Sequence, residues 1–375
     1  MNLTWLFSFF KKTDWFLIMI IAFLAVFGLA AIYSVALGRG AGEFLNFHKQ
    51  LIWLIVSFIV IFIIANINYR LWQKIGWLGY LLSLLMLILV LTPLGSTIHG
   101  SRGWFDFGWF SFQPVEMMKI FLIIILADIL SRYGRTIHKL SQLIIIGLLA
   151  FAPLGLVMLQ PDFGSAMILF FLWLASFLLI VKKKWQVLLI LLTIISVVIF
   201  AWFFVFKDYQ KDRIKNFINP ALDPQGSGYN VKQSIIAVGA GRLMGKGLGF
   251  GSQSQLKFIP ESQTDFIFSV IAEELGFVGV VFILTFFALL FYRLYKIAGA
   301  ASDDFGLFLT LLIAVLIFFH VLINIGMCLG LLPVTGISLP FISYGGSFLL
   351  TIMILIGLTL NIYKNGVFSR RHNII

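Results

Sequence analysis

The sequence predicts an all-α integral membrane protein: one polytopic domain, 1–375, with about ten transmembrane helices and one large extracytoplasmic loop. Three observations carry this. The 375 residues are 61% hydrophobic and only 11% charged, where a soluble domain has about 45–50% and about 25%. Mean hydropathy is +1.05. Apolar stretches long enough to cross about 30 Å of hydrocarbon recur along the whole chain.

Those stretches fall near 15–37, 50–66, 75–92, 114–131, 141–159, 164–181, 185–206, 266–292, 305–331 and 344–363. The first follows Lys11 and Lys12 and, at about twenty residues, is long enough to stay in the bilayer rather than be cleaved as a signal peptide. An even number of spans puts both termini on one side. Short cytoplasmic loops carry the Lys/Arg excess. On one side lie Lys11, Lys12, Arg70, Lys74, Arg132, Arg135, Lys139, Lys182, Lys183, Lys184, Arg293, Lys296, Lys364, Arg370 and Arg371; the short loops opposite hold Arg39, Lys49 and Arg102. Both termini are therefore expected in the cytoplasm. The net charge of +12 is a topology signal and not a nucleic-acid footprint.

The long segment 207–265 then faces outward. Its Gly and Pro residues punctuate turns, while "YNVKQSIIAVGAG" is patterned as an amphipathic helix. Its mixed apolar content suits a packed re-entrant or surface-lying element. "GAGRLMGKGLGFG" lacks the spacing and the strand–loop–helix setting of a nucleotide-binding loop. The single cysteine, Cys328, excludes disulfides and a cysteine metal cluster. The five histidines show no ligand spacing.

Polar residues gather toward the outer ends of the spans. Glu116 and Lys119 in "QPVEMMK" are spaced i,i+3 and share a helix face; they read either as a structural ion pair or as a cavity lining. Asp162 in "QPDFGS" sits where an N-cap accepts free backbone N–H groups. "LLPVTGISLPFISYGGS" breaks an apolar run with proline and glycine, which membrane depth tolerates only where protein or a cavity satisfies the backbone. Four acids, Glu261, Asp265, Glu273 and Glu274, cluster in "PESQTDFIFSVIAEELG", although acids at membrane depth are expensive and presumed functional. Thr264 and Asp265 are candidate caps of the next helix. Glu273 and Glu274 lie about 12–13 Å further on and about 80° and 180° round that helix from Asp265. Glu273 is therefore expected toward Asp265, and Glu274 paired with another helix.

Taken together, these motifs and "GKGLGFGSQSQLKFIPE" resemble the shape, elongation, division and sporulation (SEDS) family, ten-helix bacterial peptidoglycan polymerases. The likeness covers essentially the whole chain, with motifs in family order, and "GSQSQLKFIPE" looks more like the elongation branch, RodA, than the division branch, FtsW. Three positions depart from the family pattern: Ser262-Gln263 stand where a basic residue and His are usual, Ser338 where Pro is usual, and Val115 where a small residue is usual.

The resemblance implies a function: polymerisation of lipid II at the outer face of the bacterial inner membrane. It implies Asp265 as general base, taking the proton of the acceptor 4-hydroxyl. Developing charge on the pyrophosphate calls for a cation, for which Arg102, Lys119, Lys246 and Lys257 are available; Glu116 would orient Lys119, and Asp162 would shape the cavity. A divalent cation, Mg or Mn, is the one cofactor expected, with no ligand set assigned. The implied partners are a class B penicillin-binding transpeptidase and the elongation machinery. A lipid II flippase is the competing reading, and a non-catalytic scaffold a third. Acids at the outer face, not the midplane where transporter sites lie, favour the enzyme.

Overall fold

The computed structural model describes residues 13–372 except 40, 99, 109, 134–139, 182–183, 201, 204–207 and 219–226. Lys11, Lys12, Arg135, Lys139, Lys182 and Lys183, used above for orientation, lie outside the described residues, as do stretches of the 207–265 loop.

The long helices are α1 (Trp15–Arg39), α2 (Ala41–Asn66), α3 (Tyr69–Leu89), α4 (Pro114–Tyr133), α5 (Leu140–Leu159), α6 (Phe163–Leu178) and α7 (Lys184–Phe200). After the shorter α8 (Asp208–Ile218), α9 (Ser227–Ala240) and the single turn α10 (Ser252–Gln255) come α11 (Ile267–Ala300), α12 (Asp304–Cys328) and α13 (Gly346–His372). A helix occupies each of the ten apolar stretches. Among the described residues seven are long and apolar enough to cross a membrane, and Phe163–Leu178 and Lys184–Val197 are shorter apolar helices. Helix α4 is different: it carries Glu116, Lys119, Asp128 and Arg132 yet is buried on nearly every face, as expected of a helix at the centre of a bundle.

An all-helical expectation missed one element. Strands β1 (Ser96–Ile98), β2 (Ser101–Asp106) and β3 (Ser111–Phe112) form a small antiparallel sheet between α3 and α4. It is pinned to the helix ends. Ser101 Oγ donates to the Gln160 carbonyl (2.8 Å), and Ser347 Oγ to that of Ser111 (2.9 Å).

At one end the bundle is tied by polar contacts. Arg293 of α11 pairs with Asp14 just before α1 (2.5 Å), and Arg70 of α3 with Asp303 before α12 (3.0 Å). Toward the other end α11 is kinked at Gly276 (φ 65°, ψ −162°), a region open essentially to glycine alone. Segment 241–247 fills the broken ladder: Lys246 N donates to Glu273 O (3.0 Å), Gly247 N to Glu274 O (2.8 Å), Phe277 N to Arg242 O (2.8 Å) and Val278 N to Leu243 O (3.1 Å). This part of the loop is thus packed on α11.

Candidate active site

The irregular segment between α12 and α13 organises the site. Three consecutive carbonyls before α11 each accept from a donor of α12 or of this segment. Tyr344 N reaches Gln263 O (2.9 Å), Ser343 Oγ reaches Thr264 O (2.6 Å), and Asn324 Nδ2 reaches Asp265 O (2.8 Å). Asn324 also donates to Ile337 O (2.7 Å), so one buried amide bridges the two segments. The Asp265 backbone is clamped while its side chain stays partly exposed. A Cβ built at Gly336 would stand 3.5 Å from the Asp265 carboxylate.

Capping does not explain Asp265. Phe266 holds the N-cap position of α11, and no side chain caps it there. Thr264 Oγ1 instead donates to the Glu261 carboxylate (2.9 Å).

Residues 335–338 run past the other candidates. Glu116 and Lys119 form a buried ion pair (2.6 Å), with side chains 6% and 2% exposed. The Lys119 ammonium lies 5.4 Å from the Phe348 ring centre, and the His320 ring packs on that same ring at 4.7 Å. His320 Nδ1 meets the Ser338 carbonyl (3.4 Å). Asp162 caps α6 by accepting from Ser165 N (2.9 Å), and its other oxygen accepts from Gln113 (3.0 Å). The next residue but one, Gly164, lies so close to Thr335 O that a built Cβ would stand 2.6 Å from it. Segment 335–338 thus passes Gly164 beside Asp162, the Asp265 carboxylate and His320, and Glu116 and Lys119 join it through Phe348 and His320.

The remaining candidates do not join this group. Arg102 is committed to the sheet's approach, its guanidinium donating to Thr92 O (2.8 Å) and Gly95 O (3.4 Å). Lys257 is exposed. Lys246 pairs with Glu273 (2.8 Å) and also reaches Ser252 Oγ (2.7 Å). The expectation that Glu273 leans toward Asp265 is therefore corrected. Its carboxylate faces the re-entrant segment and takes N–H bonds from Gln253 (3.0 Å) and Ser254 (3.1 Å). The helical-wheel angle failed because Asp265 stands outside the helix. Glu274 does pair with another helix, accepting from Ser34 Oγ of α1 (2.6 Å).

Sequence reasoning passed over His320, Asn324 and Phe348. The available signal was polar side chains inside "LIFFHVLINIGM", where an apolar span gains nothing from a histidine or an amide. His320 Nε2, Asn324 Oδ1 and Glu116 Oε2 are buried without a hydrogen-bond partner, so this neighbourhood retains unsatisfied polar capacity. Among the described residues no three His, Cys, Asp or Glu side chains cluster.

Residues 13–366 match the family described as cell cycle protein, FtsW/RodA/SpoVE. The chain is 36% identical over 364 residues to stage V sporulation protein E of Bacillus subtilis (strain 168), covering 94% of this chain and 98% of that one. It is 34% identical over 369 residues to peptidoglycan glycosyltransferase MrdB of Escherichia coli (strain K12), covering 95% and 96%. Among solved structures it resembles a chain from a peptidoglycan synthase complex that coordinates polymerization and crosslinking (TM-score 0.78, 31% identity, 94% and 98% covered). It also resembles the rod shape determining protein RodA of Thermus thermophilus (TM-score 0.69, 28% identity, 94% and 97% covered). Both the matched length and the agreement in fold lead to one conclusion: the chain is a multi-pass membrane protein of the FtsW/RodA/SpoVE (SEDS) family.

Proposed function

We infer that this protein is a peptidoglycan glycosyltransferase that polymerises lipid II, working in the elongation branch of the family at the bacterial plasma membrane. Relatives named as peptidoglycan glycosyltransferases support the activity. The observation that carries the residue assignment is the clamp on Gln263, Thr264 and Asp265, which holds one partly exposed carboxylate at the edge of the irregular strand.

In the reaction, a sugar hydroxyl attacks the anomeric carbon of a donor linked through pyrophosphate to undecaprenol. The new glycosidic bond forms as the bond to pyrophosphate breaks, with inversion, and Asp265 takes the hydroxyl proton. General base catalysis contributes about 10²–10⁴-fold. Lys119, neutralised by Glu116 in the resting protein, is the best-placed cation for the leaving pyrophosphate, and Asp162 fixes the mouth of α6 beside it. No step is routed through a divalent cation.

On this reading both termini are cytoplasmic and Asp265 faces outward. The likeness to a polymerization–crosslinking complex supports a class B penicillin-binding transpeptidase as partner. The test is polymerisation of purified lipid II by wild type and Asp265→Asn, each with its transpeptidase. Long glycan strands from wild type and none from a folded Asp265→Asn establish the assignment. Strands from both remove Asp265 as the base; strands from neither turn the argument toward lipid II transport.

A further inference from the structure

Segment 241–250 exposes a run of large apolar side chains in a part of the chain outside the long spanning helices. Leu243 is 68% exposed, Met244 80%, Leu248 54% and Phe250 75%. Arg242 and Lys246 are interspersed. In water such a patch is a liability. Its height along the bundle shows what solvates it.

Two helices serve as rulers from the same starting point, the Asp14–Arg293 ion pair. Segment 241–250 is bonded to α1 through Gly249 N and Ser34 Oγ (2.8 Å) and to α11 through Gly247 N and Glu274 O (2.8 Å). At 1.5 Å per residue, Ser34 lies about 30 Å from Asp14, and Glu274 about 29 Å from Arg293. Both distances equal one hydrocarbon thickness, about 30 Å. The segment therefore stands about one hydrocarbon thickness along the bundle from that ion pair. Its neighbours on both helices continue the same apolar surface, with Leu37 53%, Phe277 59% and Val278 54% exposed.

We propose that 241–250 is a membrane-interface element whose apolar side chains enter the acyl chains of one leaflet, the outer one on the topology proposed above, while Arg242 meets the phosphate headgroups. The chemistry on the page matches that occupant. Lys246 is neutralised by Glu273, whose side chain is fully buried, as a charge near hydrocarbon requires. The N–H groups of Lys246 and Gly247 and the carbonyls of Arg242 and Leu243 are bonded to α11 rather than left to lipid, as membrane-depth backbone requires. Basic and apolar residues alternating on one face are the composition of interfacial anchors. Because the segment completes the backbone of α11 at Gly276, the lipid boundary is mechanically coupled to the helix that follows Asp265.

The experiment is spin labelling of the full-length protein in phosphatidylethanolamine–phosphatidylglycerol vesicles. Nitroxides are attached at Met244→Cys, Phe250→Cys and, as an aqueous reference on α8, Lys215→Cys, whose parent side chain is 55% exposed. Cys328 is fully buried and stays in place. Collision with oxygen, which concentrates in acyl chains, is compared with collision with a water-soluble nickel chelate. The oxygen-to-nickel ratio at 244 and 250 is expected to exceed that at 215 several-fold. Ratios equal to that of 215 would place the segment in water and overturn the proposal. Low access to both reagents would overturn it as well, since the patch would then be covered by protein.

Discussion

Lys119→Met separates what the Glu116–Lys119 pair does for stability from what it does for chemistry. The two side chains are 2% and 6% exposed and 2.6 Å apart, so each charge is desolvated and depends on the other. Glu116 Oε2 has no hydrogen-bond partner. Removing Lys119 therefore strands a whole carboxylate in a buried site, which costs about 3–5 kcal/mol. Replacing both charges, Glu116→Gln with Lys119→Met, removes the stranded ion; exchanging a buried pair for neutral groups of similar volume is often neutral. Denaturation of the detergent-purified variants, followed by lipid II polymerisation, reads both effects. The single variant should be markedly destabilised, and the double variant close to wild type in stability yet inactive. If Lys119→Met alone unfolds like wild type, the pair is not desolvated and the reasoning fails. If the stable double variant polymerises normally, Lys119 is not the cation the leaving group needs.

Three further substitutions test separate parts of the structure. Gly276→Ala forces an alanine into a glycine-only conformation (φ 65°, ψ −162°) and drives its Cβ into the Gly245 backbone; a loss of about 1–3 kcal/mol from strain alone is expected in thermal unfolding, and no loss would refute the kink. Asn324→Leu takes the donor from the carbonyls of Asp265 and Ile337, at about 1–3 kcal/mol for each buried acceptor left unsatisfied. Its polymerisation kcat should fall more than its KM rises, because the substitution moves the base and not the binding surface. Arg102→Ala releases the carbonyls of Thr92 and Gly95; hydrogen exchange should quicken over 92–106 while the helices stay protected, and unchanged exchange there would count against its anchoring role.

The sequence made some of this legible for local reasons. Pro114 with Glu116 three residues before Lys119 forecasts a helix start and a shared face, and the ion pair is there. Asp162 ahead of Gly164 and Ser165 forecasts a cap, and its carboxylate accepts from Ser165 N. What failed was non-local. The strands at 96–112 were hidden by a composition that argues for helices throughout. Glu273 was placed by extending an ideal wheel back to Asp265, yet α11 begins only after Phe266. The Ser34–Glu274 contact joins residues 240 apart in sequence, and no periodicity encodes a separation of that size. His320 and Asn324, one helical turn apart in an apolar run, were a signal that length-and-hydropathy reading treats as noise.

The four acids of 261–274 can now be told apart by what their environment does for each charge. Glu273 takes a lysine and two backbone N–H groups, and Glu274 a serine hydroxyl, with Gly249 N and Gln255 at the margin of hydrogen-bond length. Both carboxylates are supplied with donors from the element they fasten, as a structural charge at the hydrocarbon boundary must be. Glu261 accepts from Thr264 within its own turn. At Asp265 the neighbouring donors of Tyr344, Ser343 and Asn324 go to the main-chain carbonyls of residues 263–265, fixing where the residue stands, and Asp265, like Glu261, is partly exposed. A group built to hold structure is enclosed by its partners, whereas one built to exchange a proton needs a rigid backbone and an approachable carboxylate. The clamped backbone, more than the number of acids, is what supports the proposed assignment of Asp265.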